Sequence, residues 1–377
     1  MDKKIYYIYT NLPSYRNDFF KKLSEKLGED NIKLEVLYGT KIDNKVIPQI
    51  DKSSFCKKIF LSKFHRLLFF NFVKMGGLLN YIKKSPPQAC VISYVSTNLS
   101  MLNVVLYCLR HKIPYATWRC GYNRPDYSSL QEKIRNAIIT FVEKKAAYNI
   151  TYGSFYQQEL IKKGISEKKV IIAQNTINIE SIIEENRNYD KKFTDKTRVL
   201  FVGALIKGKL LYSSIDAVKK IIEEGYAISF TIVGGGEMLD ELQRYVTSLQ
   251  LQDKIKIVGP KFKDEVKECF RTSDVFLLAG TGGLAINEAM AYGLPIISTN
   301  ADGTACDLIK GNGYYMDAFG DTHLQYKYLK SFMHLSQEEK QKMSEKSKQI
   351  IQQKASLENM VYKHVEACLN LINKNKI

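Results

Sequence analysis

Three glycine-marked junctions in the second half of the 377-residue sequence are the places best suited to hold phosphate. They are Val202-Gly203-Ala204-Leu205-Ile206-Lys207-Gly208-Lys209, Val233-Gly234-Gly235-Gly236-Glu237, and Ala279-Gly280-Thr281-Gly282-Gly283-Leu284 running on to Glu288. Each follows an apolar, β-rich run and precedes a helical pattern. In open parallel sheets, ligands sit beyond the C-terminal strand ends, where a loop enters a helix. Backbone N–H groups there point outward with the positive end of the helix dipole, which suits phosphate. A glycine after a strand is more often only a turn, so one junction says little. Three in register across one sheet point to a phosphate-bearing ligand. No GxxxxGK[ST] follows a strand, which argues against an ordinary ATPase or kinase.

The elements that must position these loops alternate almost without interruption. In the first half, strands are expected at Ile5–Tyr9, Leu34–Tyr38, Cys90–Val95, Tyr115–Trp118, Ile150–Gly153 and Val170–Ala173. Between them lie helical stretches such as Asp18–Leu27, Leu99–Leu109, Leu130–Ala147 and Phe155–Lys163. The second half repeats the pattern, with strands at Val199–Val202, Ser229–Val233, Ile255–Val258, Val275–Leu278 and Ile296–Thr299. Continuous apolar strands separated by helices indicate parallel sheets covered on both faces. The polar stretch Glu184–Lys196 has no apolar period and is the expected linker. The chain is thus read as an N-terminal domain over 1–183, a linker over 184–196 and a second domain over 197–355. A last helix over 356–377 could cross back to the N-terminal domain. Gln337–Lys374 is expected to be wholly helical, with Leu357, Met360, Val361, His364, Val365, Cys368, Leu369 and Ile372 at helix spacing.

Composition bounds the reading. The chain is 45% hydrophobic and 25% charged with 8 prolines, which is globular, and its length suits two domains. Its 7 cysteines form no CxxC pair and its 5 histidines show no ligand spacing. A reduced, cytosolic protein without a metal site is expected. Met1–Thr10 runs straight into a strand pattern, so no secretion signal is expected. The net charge of +17 admits nucleic acid, substrate phosphates or an anionic membrane as partners. No recognition motif for nucleic acid accompanies the charge.

Gly283-Leu284 followed by Asn287-Glu288-Ala289-Met290-Ala291 and Gly293-Leu294-Pro295-Ile296-Ile297 resembles the signature of glycosyltransferase family 4. Phe201–Lys209 resembles that family's strand and phosphate-binding lysine loop, and Ile232–Glu237 its next strand. Ser273–Leu277, Asp302–Ile309 and Gln174–Ile177 also sit where the family has recognisable segments. The likeness covers the C-terminal half strongly and the N-terminal half faintly. It implies an α/β fold of two Rossmann-like, doubly wound parallel-sheet domains facing a cleft, the GT-B fold. It further implies a retaining, metal-independent hexosyltransferase of bacterial surface-polysaccharide type. The co-substrate would be a nucleotide sugar, UDP-linked rather than GDP-linked, with no other cofactor. The acceptor would be a saccharide or a lipid-linked saccharide.

Carried over by residue, the resemblance makes Glu288 the acceptor of the donor's ribose hydroxyls, since a carboxylate can take both. Lys209 would pair with the diphosphate as the sugar–phosphate bond breaks. Gly203, Gly234, Gly235, Gly259, Gly280, Thr281, Gly282, Gly283 and Leu284 complete the donor set. Tyr15, Arg16 and Arg119 are the acceptor candidates, with Arg119 also a source of positive charge for the phosphates. Three departures stand out. Gly280 occupies the position, eight before Glu288, where the family usually has a second Glu. Ala204 stands where an Arg is usual, and Trp118-Arg119-Cys120-Gly121-Tyr122 offers no His. These departures keep a non-catalytic partner of another glycosyltransferase as the rival reading.

Between Lys52 and Lys84 lie eight basic residues and no acidic one, interleaved with aromatic and aliphatic side chains. The segment is too often interrupted by charge to span a bilayer. It reads as a basic amphipathic helix, which would suit peripheral docking at the inner face of the membrane.

Overall fold

The structure is a computed structural model that describes residues 3–40, 56–67, 70–121, 130–187, 189, 191–261 and 264–374. The chain divides into two compact units, one of residues 1–177 with 357–377 and the other of 178–356.

The first unit is built on β1 (Lys3–Tyr9), α1 (Asn17–Glu29), β2 (Ile32–Thr40), β3 (Cys56–Leu67), β4 (Phe70–Met75) and α2 (Leu78–Lys84). It continues through β5 (Ala89–Ile92), α3 (Leu99–Arg110), β6 (Tyr115–Arg119), α4 (Leu130–Lys145), β7 (Tyr148–Thr151), α5 (Ser154–Lys162) and β8 (Val170–Ile172). The sheet order is β4-β3-β2-β1-β5-β6-β7-β8, parallel except for the antiparallel edge strand β4. Strand β1 shows why its sequence is apolar throughout. Ile5, Tyr7 and Tyr9 enter one core, with α1 and the last helix, while Tyr6 and Ile8 enter the opposite core under α2 and α3. Alternate residues of a strand point to opposite faces, so a strand buried on both must be hydrophobic at every position.

The second unit holds α6 (Glu180–Glu185), β9 (Thr197–Val202), α7 (Leu211–Glu223), β10 (Ile228–Val233), α8 (Leu239–Ser248), β11 (Ile255–Ile257) and α9 (Asp264–Thr272). It continues with β12 (Val275–Leu278), α10 (Leu284–Ala291), β13 (Ile296–Ser298), α11 (Ala305–Leu308), β14 (Gly313–Tyr315), α12 (Thr322–Met333) and α13 (Gln337–Lys354). Its strands are all parallel in the order β11-β10-β9-β12-β13-β14. Strand order reverses between β9 and β12, the topological switch point where such sheets open a crevice. Asp274, 2% exposed, locks the far end of these two strands. It accepts from Arg198 Nε at 2.9 Å, from Nη2 at 2.6 Å and from the Arg198 backbone N–H at 2.7 Å.

Three expectations are corrected. The basic segment is not one helix: β3 and β4 pair antiparallel, Ser62 opposite Met75 and Leu67 opposite Phe70, and among its described residues only Leu78–Lys84 is helical. Val73 and Met75 are buried while Lys74 between them is exposed, a period of two that belongs to a strand. The part of that segment over 52–55 lies outside the described residues. The division falls at 177/178, ahead of the stretch 184–196 expected as the linker, whose described residues belong to the second unit. Lys191 is buried, with Nζ donating to the carbonyls of Ser273 (2.5 Å), Arg271 (3.0 Å) and Phe270 (3.3 Å) at the end of α9, and Phe193 is buried nearby. Gln337–Lys374 is two helices: α13 ends at Lys354, and α14 (Leu357–Lys374) packs on α1 in the first unit.

The Lys191 contacts satisfy carbonyls that the end of a helix leaves open. Lys191→Met should leave them unpaired and destabilise the second unit by about 1–3 kcal/mol. A thermal melt unchanged from wild type would refute that role.

Candidate functional site

The three glycine junctions meet at the C-terminal ends of β9, β10 and β12. The loops after β9 and β10 are joined by backbone bonds, Gly203 N to Val233 O at 3.0 Å, Leu205 N to Gly235 O at 2.9 Å and Met238 N to Leu205 O at 3.0 Å. Gly234 N reaches Gly259 O at 2.9 Å, which brings the loop after β11 into the same layer. Across the switch point, Thr281 N donates to Gly208 O at 2.9 Å. The glycines expected to bind donor, Gly203, Gly234, Gly235, Gly259, Gly280, Gly282 and Gly283, thus belong to one connected rim.

Gly280 is a point of close backbone approach in that rim. A Cβ there would lie 2.2 Å from Gly208 O and 2.6 Å from both Cα and C of Lys209. The backbone of residues 208–209 occupies the space a side chain at 280 would need. Thr299 Oγ1 donates to Gly280 O at 3.1 Å from the opposite side. The turn Lys207–Lys209 leads into α7 through Leu210, which takes a left-handed φ of 56°. That conformation is strained for a side chain of this size.

Lys209 Nζ donates to the carbonyl of Thr281. A Cβ on Gly282 would lie 2.3 Å from that nitrogen, so the ammonium rests on Gly282. Burial pulls the Lys209 pKa below its ordinary value, and the negative charge of Asp302 partly offsets the effect. Poorly hydrated, the ammonium is prepared for an anion that replaces lost water. Helix α10 begins at Leu284 behind Gly283, which offers no side chain to cap it. Glu288 stands on the same helix, half-buried, with no hydrogen-bond or ion-pair partner among the described residues. Burial raises its pKa above the ordinary carboxylate value. The arrangement therefore offers a cation and open helix N–H groups for a diphosphate, and a separate carboxylate for hydroxyls.

In the first unit the expected residues do not gather in this way. Arg16 is corrected as an acceptor contact. It is 1% exposed, its Nη2 donates to Asn175 Oδ1 at 2.5 Å and Tyr152 Oη at 3.2 Å, and its guanidinium lies 4.9 Å from the Trp118 ring. Its work is to hold the end of β8 against α1. Tyr15 beside it is 46% exposed. Arg119 ends β6 with Nε 3.6 Å from the buried carboxylate of Glu143, which Lys163 and Tyr156 also contact. Asp302, which sequence reasoning noted only as part of a loop, lies at the rim through a contact with Gly283 that no local pattern announces.

The close approach at Gly280 yields a direct test. Gly280→Ala should shift the 207–210 turn and destabilise the second unit by about 1–3 kcal/mol, as overpacking does. An unaltered thermal transition would show that the turn yields freely.

Residues 182–350, a little under half of the chain, match the family described as "Glycosyl transferases group 1". Among curated relatives, the amylovoran biosynthesis glycosyltransferase AmsK of Erwinia amylovora is 30% identical over 166 residues, covering 42% of this chain and 40% of that protein. The UDP-Gal:alpha-D-GlcNAc-diphosphoundecaprenol alpha-1,3-galactosyltransferase of Escherichia coli is 29% identical over 156 residues, covering 38% of this chain and 39% of that protein. The match thus spans about two fifths of each relative's length. Among solved structures, Anabaena Alr3699/HepE in complex with UDP and glucose superposes with a TM-score of 0.69 at 15% identity, covering 98% of this chain and 99% of that one. The chain has the GT-B fold of these glycosyltransferases, and its second unit carries the match to the group 1 family.

Proposed function

We propose that this protein transfers a hexose from a UDP-sugar to a saccharide or lipid-linked saccharide in bacterial surface-polysaccharide synthesis, with retention and without a metal ion. The observation that carries the reading is the pairing of Lys209 on Gly282 with Glu288 on α10, which has no partner among the described residues, at the switch point between β9 and β12. A nucleoside diphosphate suits that geometry. Its ribose hydroxyls would donate to Glu288, and its phosphates would take Lys209 and the N–H groups at Gly283 and Leu284. When the bond between sugar C1 and the diphosphate oxygen breaks, both electrons leave on the nucleotide. Lys209 and the helix terminus then stabilise the growing charge, a role otherwise open to a metal. The names of the relatives support the donor and acceptor classes: the galactosyltransferase is named for UDP-Gal and a diphosphoundecaprenol-linked acceptor, and HepE was crystallised with UDP and glucose. Tyr15 and Arg119 are our acceptor-side candidates. The charge of +17, with Lys74, Lys83 and Lys84 exposed on β4 and α2, supports peripheral contact with an anionic membrane. Among the described residues no helix is long and apolar enough to cross one. Lys209 and Glu288 both stand in place, which favours a catalytic protein over a non-catalytic partner.

Purified protein incubated with UDP-glucose, UDP-galactose and UDP-N-acetylglucosamine should bind the nucleotide and release UDP slowly, with EDTA making no difference. Binding of none of them would overturn the reading. Glu288→Gln should weaken UDP binding about ten- to a hundredfold, the worth of hydrogen bonds to a charged acceptor. Because the Glu288 pKa is raised and the ligand needs the ionised form, wild-type affinity should fall on acidification at a pH above 4.5, an ordinary glutamate's value. Glu288→Gln should lose that pH dependence, and calorimetric titrations that run parallel for the two proteins would sink the assignment. Lys209→Ala should lower kcat on the order of a hundredfold while raising KM less, since the need for its charge grows as the bond breaks. Equal effects on kcat and KM would place the phosphate chemistry elsewhere.

A further inference from the structure

Gly282 and Gly283 are consecutive, and each is covered by a charged group of opposite sign. A Cβ on Gly282 would lie 2.3 Å from Lys209 Nζ, while one on Gly283 would lie 2.2 and 2.4 Å from the two carboxylate oxygens of Asp302. The α-carbons of neighbouring residues are about 3.8 Å apart. The ammonium and the carboxylate therefore lie against consecutive residues of the backbone that leads into α10. Asp302 is held there by Thr304, whose Oγ1 donates to Oδ1 at 2.6 Å and whose backbone N–H donates at 3.3 Å. Thr304 is fully buried, and Ala301 turns the loop with a left-handed φ of 52°. The carboxylate is thus aimed by its own loop.

A diphosphate on Lys209 would carry its sugar one step beyond the ammonium. The side chain that could reach that sugar from position 280 is absent, and the backbone of residues 208–209 leaves it no room. Asp302 supplies an anionic group to the same rim, at Gly283. A carboxylate so near a diphosphate is unfavourable for the phosphates themselves, because like charges repel. A ligand part that donates hydrogen bonds, as sugar hydroxyls do, would suit the carboxylate. We infer that Asp302 accepts hydroxyls of the donor sugar and sets which hexose is used, the contact that position 280 cannot make in this chain. The inference rests on the nucleotide-sugar reading of the same rim.

The test separates nucleotide from sugar. UDP and three UDP-sugars (glucose, galactose and N-acetylglucosamine) are titrated into wild type, Asp302→Asn and Asp302→Ser, with thermal melts to confirm folding. UDP should bind both variants at least as tightly as wild type, because a like charge beside the diphosphate is gone. The preferred UDP-sugar should lose about ten- to a hundredfold in kcat/KM, as expected for a lost hydrogen bond to a charged group, and discrimination among the three sugars should narrow. Parallel loss of UDP and UDP-sugar binding would overturn the inference, since it would make Asp302 a support for Lys209. Unchanged sugar preference and kcat/KM in a folded variant would overturn it as well. Failure of wild type to bind any of the four nucleotides would bring down the functional reading, and this inference with it.

Discussion

The backbone contact across the switch point governs the candidate site. Thr281 N reaches Gly208 O, and Gly280 lets the two chains approach until no side chain fits between them. From that contact the rest follows in order. The turn over residues 207–209 is pressed against the start of the third junction, so Lys209 can reach back over Gly282 to the Thr281 carbonyl. The strands beneath are held at their opposite end by the Arg198–Asp274 pair, 2.6 Å apart at its shortest. The segments carried by β9 and β12 are thus tied together at both ends. A site built on strand ends in this way has its geometry set by the sheet rather than by flexible loops.

The electrostatics depend on the same closeness. Lys209 loses hydration as the loops cover it, which lowers its pKa, and Asp302 restores part of the balance. Glu288, further along α10, is raised by burial alone. Two groups are thus perturbed in opposite directions for one cause: each has lost water. Perturbed groups clustered in a crevice are a physical marker of function.

Much of this was legible in the sequence because it is written in local patterns. The strands expected in both units and the three junctions follow from apolar runs punctuated by glycine, while Lys209 and Glu288 were picked out by the resemblance. What escaped depended on partners distant in the chain. The segment over 56–75 alternates like a strand once paired, yet its mixture of Lys and Phe also fits a helix, and only the register Lys63 opposite Lys74 decides between them. The polar stretch before β9 looked like a linker because nothing local shows that Lys191 caps α9. Strand β14 is short and begins at a glycine, so propensity does not reveal it. The break between α13 and α14 contains no Gly or Pro, only Ala355-Ser356. Arg16 looked available because arginine usually is. Its burial among Trp118, Tyr152 and Asn175 is tertiary information.

Gly280 shows what a departure from a family pattern can mean. Read along the sequence, it is a lost glutamate, and restoring the glutamate would be expected to restore the contact. In the structure the space is filled by backbone, so a carboxylate at 280 would have to push back the 207–210 turn. That turn already contains Leu210 in a left-handed conformation, and it carries Lys209. Moving it would displace the ammonium that we propose holds the diphosphate. The glycine and the tight turn are therefore one feature. On the proposed reading a carboxylate serving the sugar comes from another loop, and the β13–α11 loop, with Asp302 fastened by Thr304, supplies one without moving the 207–210 turn.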